Sequence, residues 1–183
     1  GQYFNSTEGR KLLIRATFQQ AKEDGVTVLE IGEDVWGLKE FFHNDIDELV
    51  ESFTSAQREI APEIELRLQI GLSRHCPISY LEDCLSYFWG NKNFYSIDLY
   101  GDEFAQPIEN FKGIYRRAKK EGLRLKAHVG EWGTAKDIRT AVEELELDEV
   151  QHGIAAAGDE SVIRFLAENK IRLNITPTSN VLL

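Results

Sequence analysis

In the stretch LKAHVGEWG, Leu125 to Gly133, a strand-like run ends at His128 and Glu131 follows in a glycine-flanked turn. An imidazole there could hold a metal and lower the pKa of a bound water, while the carboxyl moves protons to or from a ligand in the same space. The structural alternative is that His128 is a hydrogen-bonded strand histidine and Glu131 caps the next helix. His152 in EVQHGIAAAG repeats the theme: an imidazole at a strand end, then Gly153, then a loop. Taken alone it reads equally well as a satisfied core histidine. Two adjacent parallel strands both ending in His favour a shared site, because neighbouring strands lie about 5 Å apart.

The segment SIDLYGDEF adds Asp98 in a strand and Gly101 just beyond it. A glycine there lets backbone approach a planar ligand closely and present its amide, although Gly-Asp is also an ordinary turn. Asp102 and Glu103 read as solvated or helix-capping. His43 reads as a surface residue just before a helix. His75 lies nearer the ligand-binding edge, with no role assigned.

These groups need elements to position them. AKEDGVTVLEI (21–31), AKKEGLRLKAH (118–128) and AENKIRLNIT (167–176) each pass from a charged helix end into an apolar strand. Gly25, Gly122 and Asn169 stand where a helix end favours positive φ. Ile46, Leu49, Val50, Phe53 and Ile60 share a helical face, as do Ile108, Phe111, Tyr115 and Ala118. Thr134 and Asp159 read as N-caps, and further helices are expected over 7–24 and 77–88. Strands are expected at about 26–31, 64–71, 94–99, 123–129, 148–154 and 171–176. Strict alternation with helices makes them parallel, in a doubly wound sheet or a (β/α) barrel, and the polar residues crowd the C-terminal strand ends where both architectures bind ligands. No linker interrupts the series, so residues 1–183 read as a single domain.

The chain has 183 residues, 42% of them hydrophobic and 28% charged, with a net charge of −10. That charge disfavours nucleic-acid backbones and anionic membranes as partners, but not a small, weakly charged nucleoside or base. No apolar run approaches the roughly 20 residues of a membrane span, and residues 1–10 read as no signal peptide. Cys76 and Cys84 read as reduced thiols of a cytoplasmic protein. Dinucleotide, P-loop and G-x-S-x-G signatures are lacking.

Together HVGE (128–131), QHG (151–153), DLYGDE (98–103) and PTSN (177–180) resemble, in order and spacing, the adenosine deaminase family of zinc aminohydrolases. The resemblance covers nearly the whole chain. It implies a (β/α)8 barrel of TIM type that deaminates adenosine or a related 6-aminopurine. It also implies His128 as a zinc ligand, Glu131 as the proton shuttle, His152 as the group orienting the zinc-bound water, and the Gly101 amide as a donor to a purine ring nitrogen. The H-x-E…P-C-x-x-C pattern of the cytidine-type deaminases is lacking. Departures are Tyr100, Val129 and Gln151. Tyr100 adds bulk beside the purine position, while the other two are read as packing positions. AMP as substrate would ask for a basic residue, for which Arg74 is the candidate.

Catalytic zinc usually takes three protein ligands. In the family the others come from an H-x-H on the first strand and an aspartate after the last; the four histidines here are 43, 75, 128 and 152. The expectation is therefore an incomplete (β/α)8 barrel of about six parallel strands, lacking the first and last. Such a chain would bind zinc weakly and be inactive alone. It would expose two strand edges with an apolar interior between them, open to self-association or a complementing segment. The contrasting reading is a non-catalytic descendant serving as a binding or scaffold protein, against which the pairing of Glu131 with His152 argues.

Overall fold

The computed structural model describes residues 6–182. Six parallel strands alternate with helices along the chain, which divides into two compact units: 1–70 with 81–94, and 71–80 with 95–183. Among the described residues, no helix is long and apolar enough to cross a membrane.

The first unit carries α1 (Thr7–Glu23), β1 (Val28–Asp34), α2 (Val35–Phe42), α3 (Ile46–Ile60) and most of β2 (Glu65–Ser73). Helix α3 starts where Asp45 accepts the Glu48 N–H and buries Leu49, Val50, Phe53 and Ala56, the face its 3.6-residue period lines up. Helix α1 ends at Asp24, and Gly25 takes the expected left-handed turn at φ +72°. Helix α2 was not legible in the sequence. It buries Val35, Leu38, Phe41 and Phe42 and ends at exposed His43, whose φ of +51° makes the turn between two helices. β1 and β2 lie side by side, and Gly32 is needed there: a Cβ would meet the Gln69 carbonyl oxygen at 1.6 Å. At the end of β1, buried Glu33 receives two hydrogen bonds from Arg10, at 2.6 and 2.7 Å. Burial raises the Glu33 pKa more than that partner lowers it.

The second unit contains the end of β2, then β3 (Phe94–Tyr100), β4 (Arg124–Val129), β5 (Glu149–His152) and β6 (Arg172–Asn174), side by side in that order. Between them run α5 (Lys112–Lys120), α6 (Ala135–Leu145) and α7 (Glu160–Glu168); α4 (Ile78–Leu85) joins β2 to β3. One face of these strands is apolar, with Ile97, Leu99, Leu125, Ala127, Val129 and Val150 all buried, and β4 packs against α5 and α6. The opposite face, expected to be apolar, is polar. Asp98 stands opposite Lys126, Lys126 opposite Glu149, and His128 opposite Gln151. Buried Glu149 accepts from Arg124 at 2.6 Å and from Asn174 at 2.9 Å. Burial works to raise its pKa, but these partners hold it below the ordinary carboxylate value. A buried polar layer of this kind is tolerated because its members bond one another.

The caps follow the sequence closely. Thr134 and Asp137 form a reciprocal capping box on α6, and Asp159 accepts from the Ser161 and Val162 amides at α7. Asn169 departs from expectation. It is the last half-helical residue at φ −87°, its side chain bonds back to the Phe165 carbonyl, and the left-handed position falls on Lys170 at φ +55°. The PTSN motif opens the short helix α8 (Pro177–Leu182), begun by a proline that has no N–H to lose.

Candidate active site

His128, Glu131 and His152 converge, all within the second unit. Glu131 Oε2 and His152 Nε2 are 3.3 Å apart, and the two imidazole centroids are 5.4 Å apart. Each side chain arrives by a different route.

His128 comes straight off β4, on the polar face. Its Nδ1 lies 3.2 Å from Asp98 Oδ1, so the N–H points at the buried carboxylate and Nε2 keeps its lone pair. Burial alone would lower the His128 pKa; the hydrogen bond and charge of Asp98 outweigh it and leave the pKa raised. Asp98 also accepts from Gln151 Nε2 at 3.3 Å. Gln151, read from the sequence as a packing position, thus braces the carboxylate that orients His128. Val129 does pack, 2% exposed.

His152 reaches the site against the strand pattern. Its register partner is Val129, whose side chain leaves on the helix-covered face, whereas His128 pairs with Gln151. Plain alternation would therefore turn His152 away. Its backbone instead takes φ +66°, a left-handed conformation costing a non-glycine residue about 1–3 kcal/mol, and this brings the ring back to Glu131. The second left-handed residue, Gly153, ends the strand there, so β5 is shorter than the expected 148–154.

The His152 ring is held from behind. Asn180 Nδ2 and Thr176 Oγ1 each lie 3.0 Å from Nδ1, and Thr176 Oγ1 also lies 3.3 Å from Asn180 Oδ1. An ordered chain results: the Asn180 amide donates to Nδ1, which leaves the ring proton on Nε2, 3.3 Å from Glu131 Oε2, while the Thr176 hydroxyl lies within reach of both Nδ1 and the Asn180 carbonyl oxygen. Asn180→Asp should invert this chain, because an acceptor behind Nδ1 draws the proton there and leaves Nε2 facing a carboxylate with a lone pair. We expect a fall in activity of about 10–100-fold, larger than for Asn180→Ala, together with a change in the His152 ring ¹⁵N shifts to those of the Nδ1–H tautomer. Unchanged shifts would refute the assignment.

Gly101 follows β3 at φ +101°, a conformation suited to glycine. His75 packs against it, since a Cβ at Gly101 would come within 3.1 Å of the ring, and His75 Nε2 lies 3.4 Å from the Asp102 amide. His75 thus supports the 101–102 turn. Tyr100, one residue earlier, sets its ring edge-on to His128 at 6.4 Å.

Glu103 is the largest correction. Expected to be solvated or capping, it is 8% exposed and accepts three backbone N–H groups: Gly130 at 2.8 Å, Glu131 at 2.8 Å and Trp132 at 3.0 Å. Arg74 is 6% exposed, its Nε donates to the Gln106 carbonyl, and Glu103, Asp102, Asp137 and Glu109 act on its charge. Burial lowers its pKa all the same. It lines a cleft of about 300 Å³ with Glu103, Gln106 and Asp137.

The donor set can be tested against a metal. His128 has the tautomer and carboxylate backing of a metal ligand. However, no group of three or more His, Cys, Asp or Glu that could hold a metal occurs among the described residues. These residues by themselves do not fit a catalytic zinc.

The adenosine deaminase family model matches residues 2–183. The chain belongs to the adenosine deaminase family. A protein of Treponema pallidum named "Putative adenosine/adenine deaminase" is 39% identical over 171 residues, covering 93% of this chain and 57% of that protein. An adenine deaminase of Rhodospirillum rubrum is 30% identical over 179 residues, covering 92% and 51% respectively. Among solved structures, the adenine deaminase of Arthrobacter aurescens superposes with a TM-score of 0.80 at 24% identity, over 96% of this chain and 54% of that one. An amidohydrolase of Burkholderia ambifaria with bound Zn gives 0.82 at 21% identity, over 96% and 50%. These likenesses support the α/β, partial (β/α) barrel fold, and the chain spans about half the length of these relatives.

Proposed function

We propose that the chain supplies the proton-handling part of a hydrolytic deaminase acting on a 6-aminopurine without phosphate, adenosine or adenine. The observation that carries this reading is the 3.3 Å contact between Glu131 and His152 beside the carboxylate-backed His128. Glu131 delivers a proton to the purine ring nitrogen next to the attacked carbon, water adds at that carbon, and ammonia leaves. His152 holds the Glu131 carboxyl in place and stabilises the charge developing on the entering oxygen. The Gly101 amide donates to a purine ring nitrogen. The family's zinc would be held by His128 together with ligands from outside these 183 residues, in the same polypeptide or a complementing segment, and would supply an activated water. On this reading the 183-residue chain alone is inactive.

The preference for a substrate without phosphate is supported by relatives named as adenosine/adenine or adenine deaminases. Arg74 does not count against a phosphate by itself, because its Nε is bonded to the Gln106 carbonyl while its Nη1 is buried without a hydrogen-bond partner. The test is a substrate panel on the full-length gene product. Adenosine or adenine should be converted to its 6-oxo product, with AMP much slower. Rapid AMP turnover would reverse the preference, and no turnover of any 6-aminopurine by zinc-loaded protein would favour the scaffold reading.

A further inference from the structure

We propose that Glu103 is the positioning residue of the Glu131 turn, a role that rests on the function given above to Glu131. Backbone amides do not converge on one point unless something negative waits there. Here three consecutive N–H groups, of Gly130, Glu131 and Trp132, turn inward on the two oxygens of one buried side chain at 2.8–3.0 Å. Such a concave nest of amides binds anions, and it needs a left-handed residue to form. Gly130 provides it at φ +74°. A Cβ at Gly130 would strike Ile138 at 2.4 Å, and one at Gly133 would meet Glu103 Oε2 at 2.7 Å. Gly133 is thus explained by the chain closing tightly round this carboxylate, and Gly130 by its left-handed backbone and the close packing of Ile138.

With the three peptide planes fixed, the Cα–Cβ bond of Glu131 has a fixed direction, from which the side chain comes within 3.3 Å of His152 Nε2. Without the carboxylate the inward N–H groups repel one another and the turn opens. A glutamine in its place offers one acceptor oxygen and sets an amide N–H₂ against at least one of the three donors. The cleft beside Glu103 gives a small anion access to the nest.

The test compares Glu103→Ala and Glu103→Gln with wild type in the full-length gene product, with and without millimolar formate. The readouts are kcat and KM for the 6-aminopurine and hydrogen exchange at the amides of 130–132. For Glu103→Ala we expect kcat to fall about 100-fold, the scale of an ångström-sized misplacement, with KM little changed and the three amides exchanging faster. Formate, occupying the nest, should recover both kcat and protection. Glu103→Gln, which keeps the side-chain volume should the alanine variant not fold, should lie between. Wild-type kcat in either variant, protected amides in Glu103→Ala, or formate restoring protection without kcat would overturn the proposal. If the wild-type protein deaminates no 6-aminopurine, the functional reading fails, while the exchange measurements still decide whether Glu103 holds the turn.

Discussion

Glu131→Gln is expected to lower kcat of the full-length gene product by about 10²–10⁴-fold, the range for losing a general acid–base group. The substitution isolates proton transfer from architecture. A glutamine keeps the side-chain length and an oxygen that can face His152 Nε2, so the contact of 3.3 Å has a successor. The main chain of residue 131 remains tied to Glu103 through its N–H. KM and melting temperature should therefore stay close to wild type while the chemical step fails. Steady-state kinetics on the substrate identified by the panel provide the measurement. A variant working at the wild-type rate would remove Glu131 from the reaction.

The second large effect concerns zinc. The 183-residue chain, titrated alone, should show no tight stoichiometric zinc, because the described residues offer His128 without a completed ligand set. The full-length gene product should hold about one zinc per chain. There, His128→Ala should cost more affinity than Asp98→Ala, for which the loss should be about 10–100-fold, the usual range for a group that backs a ligand. Protons compete for the same nitrogen. Since the His128 pKa lies above its ordinary value of 6.5, zinc affinity should already fall as pH drops through that raised value. Metal analysis and competition with a chromophoric chelator provide the measurements. One tightly held zinc in the isolated chain would overturn this account of the ligand set.

Much of the candidate site was legible because local chemistry repeats. The period-2 run Leu125–Val129 placed His128 on the face opposite Leu125 and Ala127, and the structure keeps it there. Thr134 and Asp159 signalled helix starts through side-chain bonds only a few residues long. Other features were hidden for physical reasons. Helix α2 is short and starts directly at the end of β1, so no turn residues separate the two periods. Glu103 looks like a surface acid in sequence because its three donors lie 27, 28 and 29 residues away.

The sequence by itself determined the strand–helix alternation, the face that His128 takes, and the closeness of an imidazole to Glu131 along the chain. These depend on period and on neighbours within a few residues. Only the tertiary structure decided that His152 faces the same point, since register with β4 would send it the other way and a left-handed backbone reverses it. It alone also decided that Asn180 polarises that ring and that Glu103 fixes the Glu131 turn. Register, backbone handedness and long-range hydrogen bonds are set by packing between segments far apart in sequence, and no local pattern encodes them.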